Sequence, residues 1–288
     1  MVRALAIVIL LPINLVFWGT PILIGGVVKL VTFGAARRRV IVVLVWLAER
    51  WALSTNRIFD IFLDTRWHIE GDQDFDRHGH NLIISNHVSW VDIFAILRVF
   101  VGKAPFIRFF LKRILIWFPI IGQACWALEF PFMRRYTPEY LARHPEKRGR
   151  DLETTRIACR RYRRIPVSIV NFIEGTRFSE EKREDQRSPY RHLLRPRIGG
   201  ISFVIASMAE QLDGMYDVSV VYPTGDASMW RFITNRLPWV EVRVRRIEIP
   251  AEFLAAAITE PGQVRDRFKG WVEEIWREKD EVIAAVLD

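Results

Sequence analysis

The pattern of apolar and polar positions changes character near residues 55–65. Before that point, residues 4–28 hold no charged side chain. As a helix rising about 1.5 Å per residue, this stretch would be roughly 37 Å long, more than the ~30 Å hydrocarbon core of a bilayer. Pro12, Pro21 and the Gly25-Gly26 pair are expected to kink or break it. A tilted span and a broken hairpin in one leaflet both stay open.

The residues around this apolar run favour a retained membrane anchor. Gly34-Ala35-Ala36 resembles a cleavage site, so a signal peptide is the competing interpretation, but a single Arg3 and the length of the run argue against it. Arg37-Arg38-Arg39 is expected on the cytoplasmic side, next to anionic lipid. Residues 40–53 predict an amphipathic interfacial helix. We therefore predict a membrane-anchoring helical module over residues 1–55, in a membrane that we expect to be the bacterial inner membrane.

From about residue 65, short apolar runs alternate with amphipathic stretches. Runs rich in β-branched or aromatic residues predict strands at Arg66–Glu70, Leu82–Ser85, Pro166–Phe172, Val218–Tyr222 and Glu241–Ile247. Helices are predicted over residues 90–100, 105–116, 150–163 and 199–211. This alternation is typical of an α/β domain with a mixed sheet flanked by helices. We assign residues 56–250 to that domain and residues 251–288 to a C-terminal amphipathic helix packed on it.

Composition and charge narrow the classes of partner. With 50% apolar and 12% aromatic residues, the chain can bury a core, which excludes wholesale disorder. Two cysteines are too few for a disulfide framework. The net charge of +9 points to an anionic partner. The excess of basic over acidic residues lies within residues 134–197, which hold 18 basic and 9 acidic side chains. Because Arg dominates there and binds phosphate oxygens in pairs, we expect an anion-facing surface.

The segment from Leu82 to Asp92 is the most informative in the chain, because a strand ends, a polar break follows and an apolar helix begins. His87 and Asp92 are five residues apart and would not face each other on one helix. If His87 lies in the turn before the helix, Asp92 can reach its ring and orient it as a general base. In a purely structural interpretation, Ser89 and Asp92 cap the helix instead.

A second candidate segment follows the predicted strand at residues 166–172. There the chain runs directly into Glu174-Gly175-Thr176-Arg177. Gly175 permits close approach of the backbone, Thr176 offers a hydroxyl, and Arg177 offers a guanidinium for a phosphate. Loops at strand ends are where α/β proteins bind ligands. An ordinary polar turn is the structural alternative.

Together these segments resemble a known family. Asn86-His87-x4-Asp92 and Phe172-Ile173-Glu174-Gly175-Thr176-Arg177 resemble the first and third signature blocks of the glycerolipid acyltransferases of the lysophosphatidic acid type. Lys112 with Pro119-Ile120-Ile121-Gly122, and Phe132-Met133-Arg134-Arg135, resemble the second block. The first motif is weak alone, but in register with the Glu-Gly-Thr-Arg element it is specific.

The resemblance extends over residues 80–225. Within it, two segments match one branch of the family, and three features depart from the family pattern. Residues 192–197 and 217–223 look like the branch that acts on lysocardiolipin and lysophosphatidylglycerol. The family usually has Pro where Ile173 stands and Gly where Glu129 stands, and the proline-flanked valines of its fourth block are absent. These departures bear on acyl-chain and headgroup specificity.

The resemblance implies an α/β fold and transfer of a fatty acyl group from acyl-CoA or acyl carrier protein to the free hydroxyl of a lysophospholipid. The acceptor would be lysophosphatidic acid or lysophosphatidylglycerol. The implied catalytic residues are His87, as base in a direct attack without an acyl-enzyme, and Asp92, which orients it. The implied substrate-binding residues are Glu174, Gly175, Thr176, Arg177, Arg135 and Lys112. No metal or cofactor and no nucleic acid is expected.

Two groups of residues in the sequence partly match metal-binding motifs, but each lacks required ligands. Asp72-x-Asp74-x-Asp76 imitates the start of a calcium loop, but Arg77 and Ile83 stand where Gly and Glu are required. His78, His80 and His87 straddle a strand with no Cys or Glu at ligand spacing, which disfavours a transition-metal site.

Two other functional interpretations are also weaker. Ser89 or Cys125 as a covalent nucleophile lacks a matched base. The alternative function is a membrane-tethered basic protein that binds nucleic acid or lipid without catalysis. Stacking on bases needs aromatic side chains among the basic ones, yet Tyr162 is the one aromatic residue (Phe, Tyr or Trp) between positions 143 and 164.

Overall fold

The computed structural model describes residues 2–134, 140, 143–144, 150–162, 165–223, 227–254 and 256–288. The chain divides into two compact units. We call the first, Met1–Phe62 with Arg108–Ile165, the helical unit, and the second, Leu63–Ile107 with Pro166–Asp288, the sheet unit.

The helical unit begins with two long helices, α1 (Val2–Val31) and α2 (Gly34–Phe62). The apolar run was expected to be kinked or broken, and the prediction of a break is wrong, because α1 is continuous through Pro12 and Pro21. Extensive packing on α2 offsets the backbone hydrogen bond that each proline removes. By length and composition, α1 is able to cross a membrane. The residues predicted as an interfacial helix, 40–53, lie within α2.

Polar side chains fix the pairing of α1 with α2. The Asn14 side-chain amide donates to Thr55 Oγ1 over 2.9 Å, and Ser54 Oγ donates to Asn14 Oδ1 over 2.7 Å. Nearby, Trp18 and Trp46 meet edge to face with ring centroids 6.3 Å apart. Hydrogen bonds between apolar helix faces specify one register, because a shifted register would leave these polar groups buried without partners.

The prediction of a helix over residues 105–116 is wrong. This stretch forms β3 (Ile107–Phe109), β4 (Leu111–Lys112) and a 3-10 turn (Arg113–Trp117). Before β3, the Phe106 carbonyl accepts a hydrogen bond from the Ser168 amide over 3.1 Å, so pairing with a neighbouring strand overrides local helix propensity. The helical unit continues with α4 (Ile121–Ala127), β5 (Phe132–Met133) and α5 (Arg150–Tyr162).

Glu129, which stands where the resembling family usually has glycine, adopts the left-handed backbone that favours glycine, with φ of 65°. Its own contacts hold it there. The Arg37 guanidinium lies 3.3 Å from Glu129 Oε1 and Lys29 Nζ lies 3.5 Å from it, while the Tyr162 hydroxyl donates to the Glu129 carbonyl over 2.5 Å. These contacts offset the roughly 1–3 kcal/mol cost of a left-handed non-glycine residue.

The sheet unit is built on a six-stranded mixed sheet. Its strand order is β1 (Arg66–Gly71), β8 (Trp239–Ile247), β7 (Gly214–Val221), β2 (His80–Ser85), β6 (Val167–Phe172) and β3. β7 and β8 are antiparallel, whereas β2 runs parallel to both β6 and β7, and β1 runs parallel to β8. The five predicted strands and the mixed sheet are confirmed.

The sheet unit also contains α-helices. They are α3 (Val91–Phe100), α6 (Glu180–Asp185), α7 (Ile198–Met208), α8 (Met229–Ile233) and α9 (Gln263–Leu287). The central strand β2 is buried on both faces, as its continuous apolar run Leu82-Ile83-Ile84 predicts. α9 is anchored by the buried Trp276, whose Nε1 donates to the Leu194 carbonyl over 2.9 Å, and the buried Lys279, whose Nζ donates to the Val218 carbonyl over 2.6 Å.

Candidate active site

Three parallel strands bring the candidate segments to one edge of the sheet. Ser85 of β2 pairs with Phe172 of β6 on one side and with Val218 of β7 on the other. The turn after β2 and the loop after β6 therefore emerge side by side at the carboxyl ends of their strands, where α/β sheets bind ligands. Asn86 ties the turn to β7, because its side-chain amide donates to the Val220 carbonyl and accepts from the Val220 amide, both over 2.9 Å.

His87 lies in the turn before α3, and Asp92 lies in the first turn of that helix. His87 Nδ1 is 2.8 Å from Asp92 Oδ2, and the Asp92 side chain is fully buried. Asp92 Oδ2 also accepts from the backbone amides of Val88 and Ser89, over 2.7 and 2.9 Å, and Oδ1 accepts from the Tyr222 hydroxyl over 2.5 Å. The two interpretations of Asp92 are therefore compatible, because one carboxylate both closes the turn and orients the imidazole.

This geometry is compatible with His87 acting as a base. Since a carboxylate accepts from Nδ1, the proton of the neutral ring sits on Nδ1, and Nε2 carries the lone pair. The ring stacks on Phe172, with centroids 4.1 Å apart and planes at 17°, and its side chain stays 19% exposed. A positioned, partly exposed imidazole with a buried carboxylate partner can remove a proton from a hydroxyl.

Glu174 supports the turn that carries His87. Its side chain is fully buried, and its two carboxylate oxygens accept from the backbone amides of His87 and Leu194, each over 3.0 Å. Burial raises the pKa of Glu174 to about 8, although both backbone hydrogen bonds act in the opposite direction. Glu174 thus joins the turn after β2 to the segment before α7.

The residues after Glu174 form a loop that carries Arg177 and lies against the side chain of Arg197, which directly precedes α7. Gly175 has φ of 74°, and a Cβ there would lie only 3.1 Å from the Arg197 side chain, so glycine suits both the backbone and the close approach. Thr176 Oγ1 accepts from Lys182 Nζ over 3.1 Å. The exposed Arg177 guanidinium lies 5.0 Å from the centroid of the Trp90 ring, a cation–π distance.

The backbone of this loop is tied to the His87 turn as well. The Phe178 amide donates to the His87 carbonyl over 2.7 Å, and the Arg197 amide donates to the Ile173 carbonyl over 2.7 Å. The structure therefore brings together His87, Asp92 and the Glu174-Gly175-Thr176-Arg177 loop, as the sequence predicts for one site.

Lys112 and Arg135 are the remaining predicted substrate-binding residues. Lys112 is an exposed residue of β4 in the helical unit. Arg135 lies outside the described residues. Both assignments stay predictions.

The other candidates from the sequence included Ser89 as a nucleophile and two metal-binding patterns. The Ser89 hydroxyl donates to the Ala227 carbonyl and accepts from the Val91 amide over 3.1 Å, which is the capping role predicted for it. Within the ranges that the structure describes, no group of three or more His, Cys, Asp or Glu side chains could hold a metal ion.

Sequence reasoning missed Tyr222 as a site residue. It lies 130 positions from Asp92, just after β7, and is itself buried. Its position in the segment 217–223 resembles one family branch, but only the parallel pairing of β2 with β7 shows that this tyrosine reaches the Asp92 carboxylate.

Comparison with known proteins places this site in a family. A family model described as "Acyltransferase" matches residues 66–223, more than half of the chain and the whole span from β1 to the end of β7. The chain belongs to the acyltransferase family.

Individual relatives are more distant. An uncharacterised acyltransferase of Schizosaccharomyces pombe is 24% identical over 72% of this chain and 60% of its own length. The 1-acyl-sn-glycerol-3-phosphate acyltransferase 2 of Brassica oleracea is 26% identical, over 62% of this chain and 44% of its own. The 1-acyl-sn-glycerol-3-phosphate acyltransferase epsilon of Mus musculus is 24% identical, over 75% of this chain and 60% of its own length. The matches thus span 44–60% of these relatives' lengths.

One solved structure has the same fold along nearly the whole chain. The crystal structure of PlsC, the 1-acyl-sn-glycerophosphate (LPA) acyltransferase from Thermotoga maritima, aligns with a TM-score of 0.61 at 16% identity. The alignment covers 99% of this chain and 95% of that one. The α/β fold with a mixed sheet flanked by helices is therefore that of PlsC.

Proposed function

We propose that this protein transfers a fatty acyl group from a thioester donor, acyl-CoA or acyl carrier protein, to the free hydroxyl of a lysophospholipid of the lysophosphatidic acid or lysophosphatidylglycerol type. The observation that carries the proposal is the 2.8 Å contact between His87 Nδ1 and the buried Asp92 carboxylate, next to a loop bearing Arg177. Family membership and the names of the relatives support the same reaction class.

In this proposal, the acyl group moves in one direct displacement. His87 Nε2 takes the proton of the acceptor hydroxyl while its oxygen attacks the thioester carbonyl carbon. The buried Asp92 carboxylate stabilises the imidazolium that forms. When the tetrahedral intermediate collapses, the C–S bond breaks, and His87 returns the proton to the departing thiolate. The products are an ester and a free thiol, and no acyl-enzyme forms.

The acceptor is held by its phosphate. The planar guanidinium of Arg177 can donate two hydrogen bonds to phosphate oxygens. Arg197, which directly precedes α7, places a second guanidinium next to Gly175 of this loop. Thr176 adds a hydroxyl to this loop. Glu174 acts by holding the backbone of the His87 turn, because both of its oxygens already accept from backbone amides. Lys112 and Arg135 are proposed as further basic contacts.

A membrane-attached enzyme suits a lipid acceptor. The uncharged helix α1 supports attachment to a bilayer, and Arg37-Arg38-Arg39 supports placing the start of α2 at an anionic, cytoplasmic surface. We extend this to the bacterial inner membrane, with the catalytic residues facing the cytoplasm. The alternative of a non-catalytic nucleic-acid-binding protein is not favoured by the family match.

Replacement of His87 by alanine tests the proposed function. Thiol release from acyl-CoA with lysophosphatidic acid should fall about a thousandfold or more in kcat, because the base is lost. His78→Ala, an exposed loop histidine, is the matched control and should keep the activity of the unchanged protein. A purified His87→Ala variant that retains most of its acyl transfer would contradict the assignment of the base.

A further inference from the structure

Tyr222 makes the contact to Asp92 on the side away from the imidazole. Its hydroxyl donates to Asp92 Oδ1 over 2.5 Å, whereas His87 uses Oδ2. Tyr222 is 4% exposed and Asp92 is fully buried, so this hydrogen bond is made away from solvent. At such a distance and burial, a hydroxyl bonded to a charged carboxylate forms one of the stronger hydrogen bonds in a protein.

The hydrogen bonds of Asp92 show what the tyrosine does. Oδ2 accepts from His87 and from the backbone amides of Val88 and Ser89. For Oδ1, the described part of the chain provides the Tyr222 hydroxyl as the donor. With donors on both oxygens, the carboxylate plane cannot rotate, and Oδ2 stays directed at the His87 ring.

Tyr222 is itself held firmly. It follows β7 directly, and the Asn86 side chain brackets Val220, two residues earlier, through both its amide and carbonyl. Asn86 immediately precedes His87, so the strand that carries the tyrosine and the turn that carries the histidine are fastened to each other. Burial and the charge of Asp92 raise the pKa of Tyr222 well above its ordinary value, so the phenol remains a donor throughout the working pH range.

We propose that Tyr222 is a positioning residue that fixes the Asp92 carboxylate and, through it, the His87 imidazole, so that the active site works as a Tyr222–Asp92–His87 relay. This inference rests on the proposed function, because it assigns the tyrosine a part in keeping His87 ready as a base. Tyr222 does not touch substrate, since the buried Asp92 carboxylate lies between it and the ring.

The charged and titratable groups around the relay come from three directions. Glu174, after β6, accepts from the His87 amide, and Arg177 from the same loop lies over the ring of Trp90. Lys279 of α9 is buried and interacts electrostatically with Glu174. If only Tyr222 is substituted and these three groups are kept, a change in the pH profile can be attributed to the tyrosine.

Tyr222→Phe removes the hydroxyl and keeps the ring. Measured as thiol release from acyl-CoA with lysophosphatidic acid, kcat should fall about 10- to 100-fold, with KM for donor and acceptor within about twofold. The acid limb of the kcat/KM profile should move to higher pH. Without its tyrosine donor, the Asp92 carboxylate keeps more charge for the imidazolium, so the pair releases its proton less readily.

Tyr216→Phe is the matched control. Tyr216 lies on β7, the strand that Tyr222 follows, is also buried, and donates its hydroxyl to the Asp74 carbonyl over 3.2 Å. This variant should keep the kcat and pH profile of the unchanged protein. Equal losses in both variants, with equal drops in thermal midpoint, would mean that a buried hydroxyl merely stabilises the fold and would overturn the proposal.

A second variant does not depend on removing the hydrogen bond. Placing 3-fluorotyrosine at position 222 makes the phenol a stronger donor and should move the acid limb to lower pH, opposite to Tyr222→Phe. An unmoved acid limb in both variants, while His87→Ala is inactive, would overturn the relay and leave the proposed function standing. Failure of the unchanged protein to release thiol with any lysophospholipid would instead refute the proposed function, and the relay with it.

Discussion

The first turn of α3 and the loop after β6 each carry one fully buried carboxylate, Asp92 and Glu174, and the two make different contacts. Asp92 accepts from two side chains, His87 and Tyr222, as well as from two backbone amides. Glu174 accepts from the backbone amides of His87 and Leu194. Asp92 is therefore coupled to a group that can transfer a proton, whereas Glu174 is coupled to the backbone that carries that group.

The difference means that burial alone does not distinguish a carboxylate suited to proton transfer from one that holds the backbone. Both side chains are inaccessible, and both belong to motifs that resemble one family. What separates them is the chemistry of the donor, because a side-chain imidazole changes its charge during a reaction and a peptide N–H does not. The same burial raises the pKa of Glu174 to about 8, which makes its effect on stability measurable.

The sharpest test of the comparison is Asp92→Asn. The amide keeps the size of the carboxylate but removes the charge that stabilises the imidazolium, so kcat should fall about a thousandfold or more. Initial rates of thiol release at saturating donor and acceptor measure this effect. A loss of less than about tenfold would mean that Asp92, like Glu174, serves mainly to hold the backbone.

Arg177 tests whether the loop after β6 contacts substrate at all. Arg177→Ala should raise the KM for lysophosphatidic acid about 10- to 100-fold, because a charge-assisted contact to the phosphate is lost, and should leave the KM for acyl-CoA unchanged. Arg160→Ala, an exposed arginine of α5 in the same basic segment, is the control and should change neither value. An unaltered acceptor KM in Arg177→Ala would remove the phosphate role from this loop.

Glu174→Gln should have the smallest effect on chemistry, with kcat within about tenfold of the unchanged protein. Its effect should appear in stability. Because the folded-state pKa is about 8, above the ordinary value of 4.5, the native state binds the proton more tightly. The stability from this group is present below about pH 4.5 and is lost as the pH rises through about 8.

Urea unfolding of the detergent-solubilised protein between about pH 5 and about pH 8 measures this dependence. The unchanged protein should lose stability across this window, and Glu174→Gln should lose less, since glutamine does not titrate. Identical pH slopes in the two proteins would show that Glu174 is ionised throughout. A large loss of kcat at full stability would place Glu174 with Asp92 as a group that takes part in the reaction.

Much of the sheet was predictable from the sequence, because short β-branched runs bounded by polar breaks leave few alternatives. The stretch 105–116 was not, because its apolar residues suit a helix locally and only pairing with β6 makes a strand of them. The continuity of α1 was missed for a related reason. A proline weakens a helix that stands alone, but long packing against α2 sustains it.

For the site, sequence spacing was enough where partners are close along the chain. His87 and Asp92 flank the start of one helix, so a turn before that helix explains their contact. Tyr222 and Leu194 lie far away in sequence and meet the site only through the register of β7 and the path before α7. The left-handed backbone at Glu129 had one signal in the sequence, the glycine that the resembling family usually has there, but nothing in the neighbouring residues marks a glutamate for it.

The helix α9 reaches the turn that carries His87 by a short series of hydrogen bonds. Trp276 donates to the Leu194 carbonyl, the Leu194 amide donates to Glu174, and Glu174 accepts from the His87 amide. Shortened versions that end before Trp276 would therefore loosen the imidazole turn even though every motif residue is retained. For directed evolution of the proposed activity, the inner face of that helix is therefore a place to change turnover remotely, without altering the groups proposed to bind the proton or the lipid.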